Sequence, residues 1–94
     1  MAVLTTEQVT EGLKTLPEWR ADGDAIVRQY EFDGGFMGSV GFVNRLAAAA
    51  EVADHHPDLA ISWNKVTVTF STHSEGGVTE KDLEMAAEAD RLAT

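Results

Sequence analysis

Two hydrophobic periods alternate along the chain. Val9, Leu13 and Leu16 recur at helical spacing behind Thr5-Thr6-Glu7-Gln8, a capping-box pattern with Gln8 three residues after Thr5. Pro17 stops the run, which predicts a helix over roughly Thr6 to Leu16. Trp19–Ala21 and Ala25–Phe32 flank Asp22-Gly23, a dipeptide suited to the positive φ angles of a hairpin turn. The second of these strands is mixed. Ile26, Arg28, Tyr30 and Phe32 share one face, and Val27, Gln29 and Glu31 the other.

Beyond Asp33-Gly34-Gly35 the period changes from two residues to about 3.6. Phe36, Val40, Val43, Ala47 and Ala50 form one apolar stripe, and Phe42, Leu46, Ala49 and Ala53 an adjoining one. A helix from Phe36 to about Asp54 is predicted, about 30 Å long. Its apolar face is wider than one small sheet needs, which predicts self-association through it. Pro57 disfavours helical geometry at His56, so the helix should end near His55. Leu59, Ile61 and Trp63 alternate with Ala60 and Ser62 as a third strand, and Asn64-Lys65 make a turn. Val66, Val68, Phe70 and Thr72 then alternate with Thr67, Thr69, Ser71 and His73, giving a core face and a polar face. Ser74-Glu75-Gly76-Gly77 is a loop, and Thr79-Glu80-Lys81-Asp82 opens a last helix with Leu83, Ala86, Ala89 and Ala93 on one side. The order α-β-β-α-β-β-α predicts an α+β fold: a four-stranded, mainly antiparallel sheet with three helices on one face.

Ninety-four residues leave room for a single domain, residues 1–94, with no repeat or linker. Seven Lys plus Arg against sixteen Asp plus Glu give a net charge of −9, the wrong sign for a phosphate backbone or an anionic membrane surface. The absence of cysteine removes disulfides, thiolate metal sites and cysteine nucleophiles. The N-terminus lacks the basic start and apolar run of a signal peptide, and no apolar run reaches bilayer length, so a cytoplasmic protein is expected.

The candidate chemistry is concentrated. His55, His56 and His73 fall within nineteen residues. Two stand at a helix-to-strand junction, and a hairpin near Asn64-Lys65 returns the strand end at His73 beside Pro57 and Asp58. Glu51 lies one helical turn before His55, on its side of the helix, and Asp82 starts the last helix nine residues beyond His73. Histidines are suited to moving protons at neutral pH. Structural roles exist for each group: His55 at a helix C-terminus, Asp82 as the acid of a cap, Glu51 as a solvated charge, Trp19 and Trp63 as packing. A metal reading lacks regular ligand spacing, and adjacent histidine side chains diverge, so no metal site is expected.

The segment Glu51-Val52-Ala53-Asp54-His55-His56-Pro57-Asp58, followed by Trp63, Thr72-His73, Gly76-Gly77-Val78-Thr79 and Asp82, resembles pterin-4a-carbinolamine dehydratase. Gly41-Phe42, Arg45 and Trp19 extend the resemblance, which covers about Trp19 to Leu92. Leu59 departs from it, standing where some members carry an aromatic residue. The resemblance implies dehydration of 4a-hydroxytetrahydropterin to quinonoid dihydropterin, recycling pterin for aromatic amino acid hydroxylation. It implies His55, His56 and His73 as the binding and acid–base groups, and no metal or organic cofactor. Asp82 would orient one histidine and Glu51 would serve His55, with Pro57, Trp63 and Thr72 supporting the site or contacting substrate. The pterin is then the small-molecule partner, and the long helix joins a homo-oligomer, dimer or tetramer. The other reading is a non-catalytic assembly or dimerisation factor of the same fold. That reading predicts missing histidines, and all are intact here.

Overall fold

The Thr5 side chain accepts the Gln8 N–H while the Gln8 side chain accepts the Thr5 N–H, so the capping box opens α1 (Thr6–Gly12). The computed structural model describes residues 2–94. After α1 come β1 (Arg20–Asp22), β2 (Ala25–Glu31), α2 (Gly35–Ala53), β3 (Asp58–Ser62), β4 (Lys65–Phe70) and α3 (Glu80–Leu92). The first helix is shorter than its periodicity suggests, and Leu13–Thr15 continue as a 3₁₀ turn. A Cβ on Gly12 would stand 2.5 Å from Leu83 Cδ1, so the lack of a side chain at Gly12 makes room for Leu83 of the last helix.

The strands form one antiparallel sheet in the order β1-β2-β4-β3. The expected α+β architecture and element order are both observed. Ile26 and Tyr30 of β2 and Val66, Val68 and Phe70 of β4 face the helices, and bury with Phe42, Leu46 and Ala50 of α2 and Met85, Ala86 and Ala89 of α3. Of the two stripes on α2, Phe42 and Leu46 go to the sheet and are fully buried. Ala47 and Ala48 turn outward, with Val52 89% exposed.

The mixed face of β2 has a specific cause. Arg28 shares the core face with Tyr30 and lies 4.1 Å above that ring, with its guanidinium 2.9 Å from Asp90 Oδ1 of α3. The same oxygen accepts the Trp19 indole N–H at 3.0 Å and the Tyr30 hydroxyl. A charge is tolerated on this face because its partner arrives from the last helix.

Three boundaries differ from the periodicity. The long helix ends at Ala53 because Asp54 adopts a left-handed conformation (φ 52°, ψ 44°) and caps it. Pro57 lies beyond that stop. Trp63 leaves the third strand and sits in the β3–β4 turn at φ 50°, with Lys65 already in β4. Its carbonyl accepts the hydroxyl of the buried Ser39 at 2.6 Å, which ties this turn to α2. Lastly, β4 ends at Phe70, and Thr72 pairs instead with Gly77 across a turn that carries His73. No helix among the described residues is long and apolar enough to cross a membrane.

Candidate active site at the junction of α2, β4 and α3

Asp82 is the third residue of α3, and its carboxylate belongs to the helix cap: Oδ2 accepts the Thr79 N–H at 2.8 Å. It does more than cap. The same Oδ2 accepts the Thr72 hydroxyl at 2.8 Å, and Oδ1 lies 2.6 Å from His55 Nε2. Asp82 is fully buried and the His55 side chain is 11% exposed, so this pair is nearly dry. An ionised carboxylate only accepts, so a neutral His55 carries its proton on Nε2 and leaves Nδ1 free. The imidazole also stacks on Phe70, with ring centroids 6.1 Å apart and an interplanar angle of 14°. One Asp82 carboxylate therefore caps α3 and hydrogen-bonds His55 at the same time.

The register explains why these segments meet. Asp58 pairs with Thr69 in the β3–β4 ladder, and the antiparallel count continued outward sets His55 across from Thr72. The left-handed Asp54 turns the chain from α2 into that line.

Glu51 pairs with His56, through Nε2, and not with His55 as helical spacing suggests. The spacing argument assumes that the helix continues to residue 55, and Asp54 breaks its phase first. This second pair is open to solvent, with the His56 and Glu51 side chains 55% and 76% exposed. Its geometry again leaves His56 Nδ1 free.

His73 is exposed in the turn after β4, one residue from Thr72, so it borders the Asp82 network without a hydrogen bond to it. Pro57 is half-buried between His56 and the start of β3. Trp63 is not brought to this corner within one chain. It packs beside Gly35 and Ser39 near the start of α2, roughly 20 Å along the helix from Ala53. The residue is 67% exposed.

Two features went unread in the sequence. Thr79 is fully buried, and its hydroxyl lies 2.8 Å from that of Thr72, joining the cap to the histidine. A groove of about 450 Å³ also opens between α2 and α3 beside the cluster, floored by Ala49, Ala53 and Met85 and edged by Lys81, Glu84 and Glu88. Neither carries a signal in periodicity, since a Thr before a helix reads only as a cap. Among the described residues, no group of three or more His, Asp or Glu side chains is arranged to hold a metal ion.

Residues 2–92 match the family model described as pterin 4 alpha carbinolamine dehydratase. A protein of Mycobacteroides abscessus, provisionally named a pterin-4-alpha-carbinolamine dehydratase, is 47% identical over 90 residues, covering 96% of this chain and 95% of its own length. The crystal structure of a transcriptional coactivator/pterin dehydratase from Brucella melitensis superposes with a TM-score of 0.92 at 40% identity, covering 98% of this chain and 99% of that one. A pterin dehydratase-like protein described as a RuBisCO assembly factor of the alpha-carboxysome has a TM-score of 0.66 at 22% identity, covering 80% of this chain and 86% of its own, and shares the fold.

Proposed function

Because the chain belongs to the pterin 4 alpha carbinolamine dehydratase family, we propose that it dehydrates 4a-hydroxytetrahydropterin to quinonoid dihydropterin by histidine acid–base catalysis. The observation that carries this reading is the buried His55–Asp82 pair, one imidazole held in a defined tautomer beside a second histidine and its own carboxylate. Loss of water from carbon 4a needs a proton delivered to the departing hydroxyl and a proton removed from a ring nitrogen. One imidazolium and one neutral imidazole supply both transfers, and the proton count closes with release of one water. His55, His56 and His73 are the candidates for these transfers. Asp82 orients His55, Glu51 does so for His56, and Thr72 holds Asp82. Pro57 sets the path of the chain through the corner.

Trp63 enters this reading differently, since it lies far from the histidines of its own chain and contacts substrate only across a subunit boundary. Self-association through the outward face of α2, as a dimer or tetramer, is part of the same proposal. Ala47, Ala48 and the exposed Val52 supply a small-residue surface there.

The deciding experiment follows carbinolamine decay by absorbance, with and without the protein. Acceleration over the spontaneous reaction is expected. A correctly folded sample that gives none turns the assignment to a non-catalytic assembly factor.

A further inference from the structure

The capping box of α3 is continuous with the His55–Asp82 pair, and the hydrogen bonds between them run in one direction. Thr72 offers a single hydroxyl proton, and Asp82 Oδ2 at 2.8 Å takes it because a carboxylate cannot donate. The Thr72 oxygen must then accept from the Thr79 hydroxyl, 2.8 Å away. The Thr79 oxygen in turn accepts the Lys81 N–H at 3.3 Å. Only one arrangement of hydroxyl protons satisfies the set, from Lys81 through Thr79 and Thr72 to Asp82, with His55 donating from the far side. Thr79 and Asp82 are both fully buried, so water does not compete for these bonds and each is strengthened by the low local dielectric.

An ordinary N-cap uses a threonine oxygen only as an acceptor. Here the Thr79 proton is used as well, by a residue seven positions earlier in the chain. We propose that Thr79, acting with Thr72, is a positioning residue that fixes the Asp82 carboxylate and through it holds His55 with its proton on Nε2 and Nδ1 free for proton transfer. This rests on the dehydratase reading for its kinetic consequence and on geometry alone for its effect on the imidazole.

The test compares wild type with Thr79→Val, Thr79→Ser and Thr72→Val. The readouts are ¹⁵N spectra of the neutral His55 ring, assigned by difference against His55→Gln, and steady-state dehydration. Wild type should show the Nε2–H tautomer alone. Both valine variants should admit the Nδ1–H form and lower kcat about tenfold at unchanged KM, a fraction of what proton transfer itself contributes. Thr79→Ser, which keeps the hydroxyl, should stay within about twofold of wild type. A folded Thr79→Val with wild-type tautomer and kcat overturns the proposal. If Thr79→Val does not fold, Thr72→Val decides on the same criteria, since it leaves the capping box in place. A wild type that shows no dehydration sinks the functional reading, while the tautomer comparison still decides the positioning role.

Discussion

Two neighbouring histidines make the same bond in opposite surroundings. His55 meets Asp82 where neither has much contact with water, and His56 meets Glu51 in the open. The buried pair cannot easily rearrange: Asp82 is held by a backbone N–H and a threonine hydroxyl as well as by the imidazole, and each bond limits the others. The exposed pair has little to restrain it, and solvent screens its attraction to a small net value. On the proposed dehydratase reading, the buried imidazole is a fixed reference beside a second, solvent-exposed one.

The contrast breaks most severely at Asp82. Asp82→Ala strands the Thr72 hydroxyl, the Thr79 N–H and the His55 ring in a dry pocket, and should destabilise by about 3–5 kcal/mol in urea unfolding. Glu51→Ala, the matching change outside, should move stability by no more than about 0.5 kcal/mol. Equal effects would show that the two pairs do not differ as their burial implies.

His56→Ala separates activity from stability. Dehydration should fall about 100-fold or more with the melting temperature little changed, and His73→Ala should behave alike, since both side chains are exposed. Full activity in both variants, well folded, removes the proton-transfer assignment from the open side of the site.

The next test asks whether the open pair remains open in solution. Val52 follows Glu51 directly and is 89% exposed, so a second copy seated on this face of α2 would lie against the Glu51–His56 pair. Val52→Glu should shift light scattering toward smaller species without unfolding the chain, because an unpartnered carboxylate is costly in an interface. A wild type that is monomeric at micromolar concentration rules out that shielding.

The smallest effect lies at the other end of α3. Burial, followed by the bond to Asp90, raises the Tyr30 hydroxyl well above its ordinary value near 10. The fold therefore favours the neutral phenol. Its contribution is intact below the unfolded value and fades as pH rises above about 10. Tyr30→Phe should flatten the decline in stability on that alkaline limb and leave the histidine corner unaffected, as followed by denaturant midpoints at successive pH values.

Much of this corner is visible in the sequence. The His-His-Pro segment, Asp82 and the turn pairing that returns β4 toward Pro57 all follow from spacing, because strand register carries over long stretches once the hairpin is set. What escapes depends on single backbone angles. Helical spacing gives Glu51 the wrong histidine, since one left-handed residue, Asp54, rotates everything after it. Continued alternation carries Trp63 one residue and His73 three residues beyond the ends of their strands, because a turn residue of ordinary composition leaves no mark in a period of two. Thr79 reads as a cap and is one. Its second bond needs a partner that only the tertiary fold supplies.

The bonds at Asp82 also decide how the molecule comes apart. They fasten the start of the last helix to residues 27 and 10 positions earlier in the chain, beside the Thr72–Thr79 hydroxyl pair and the Leu4 N–H bond to the Val78 carbonyl. Opening of this one segment, well short of global unfolding, would scatter the cluster. Amide hydrogen exchange at Lys81 and Asp82 should therefore track thermal inactivation, and activity should vanish at a temperature where the β2–β4 ladder is still protected.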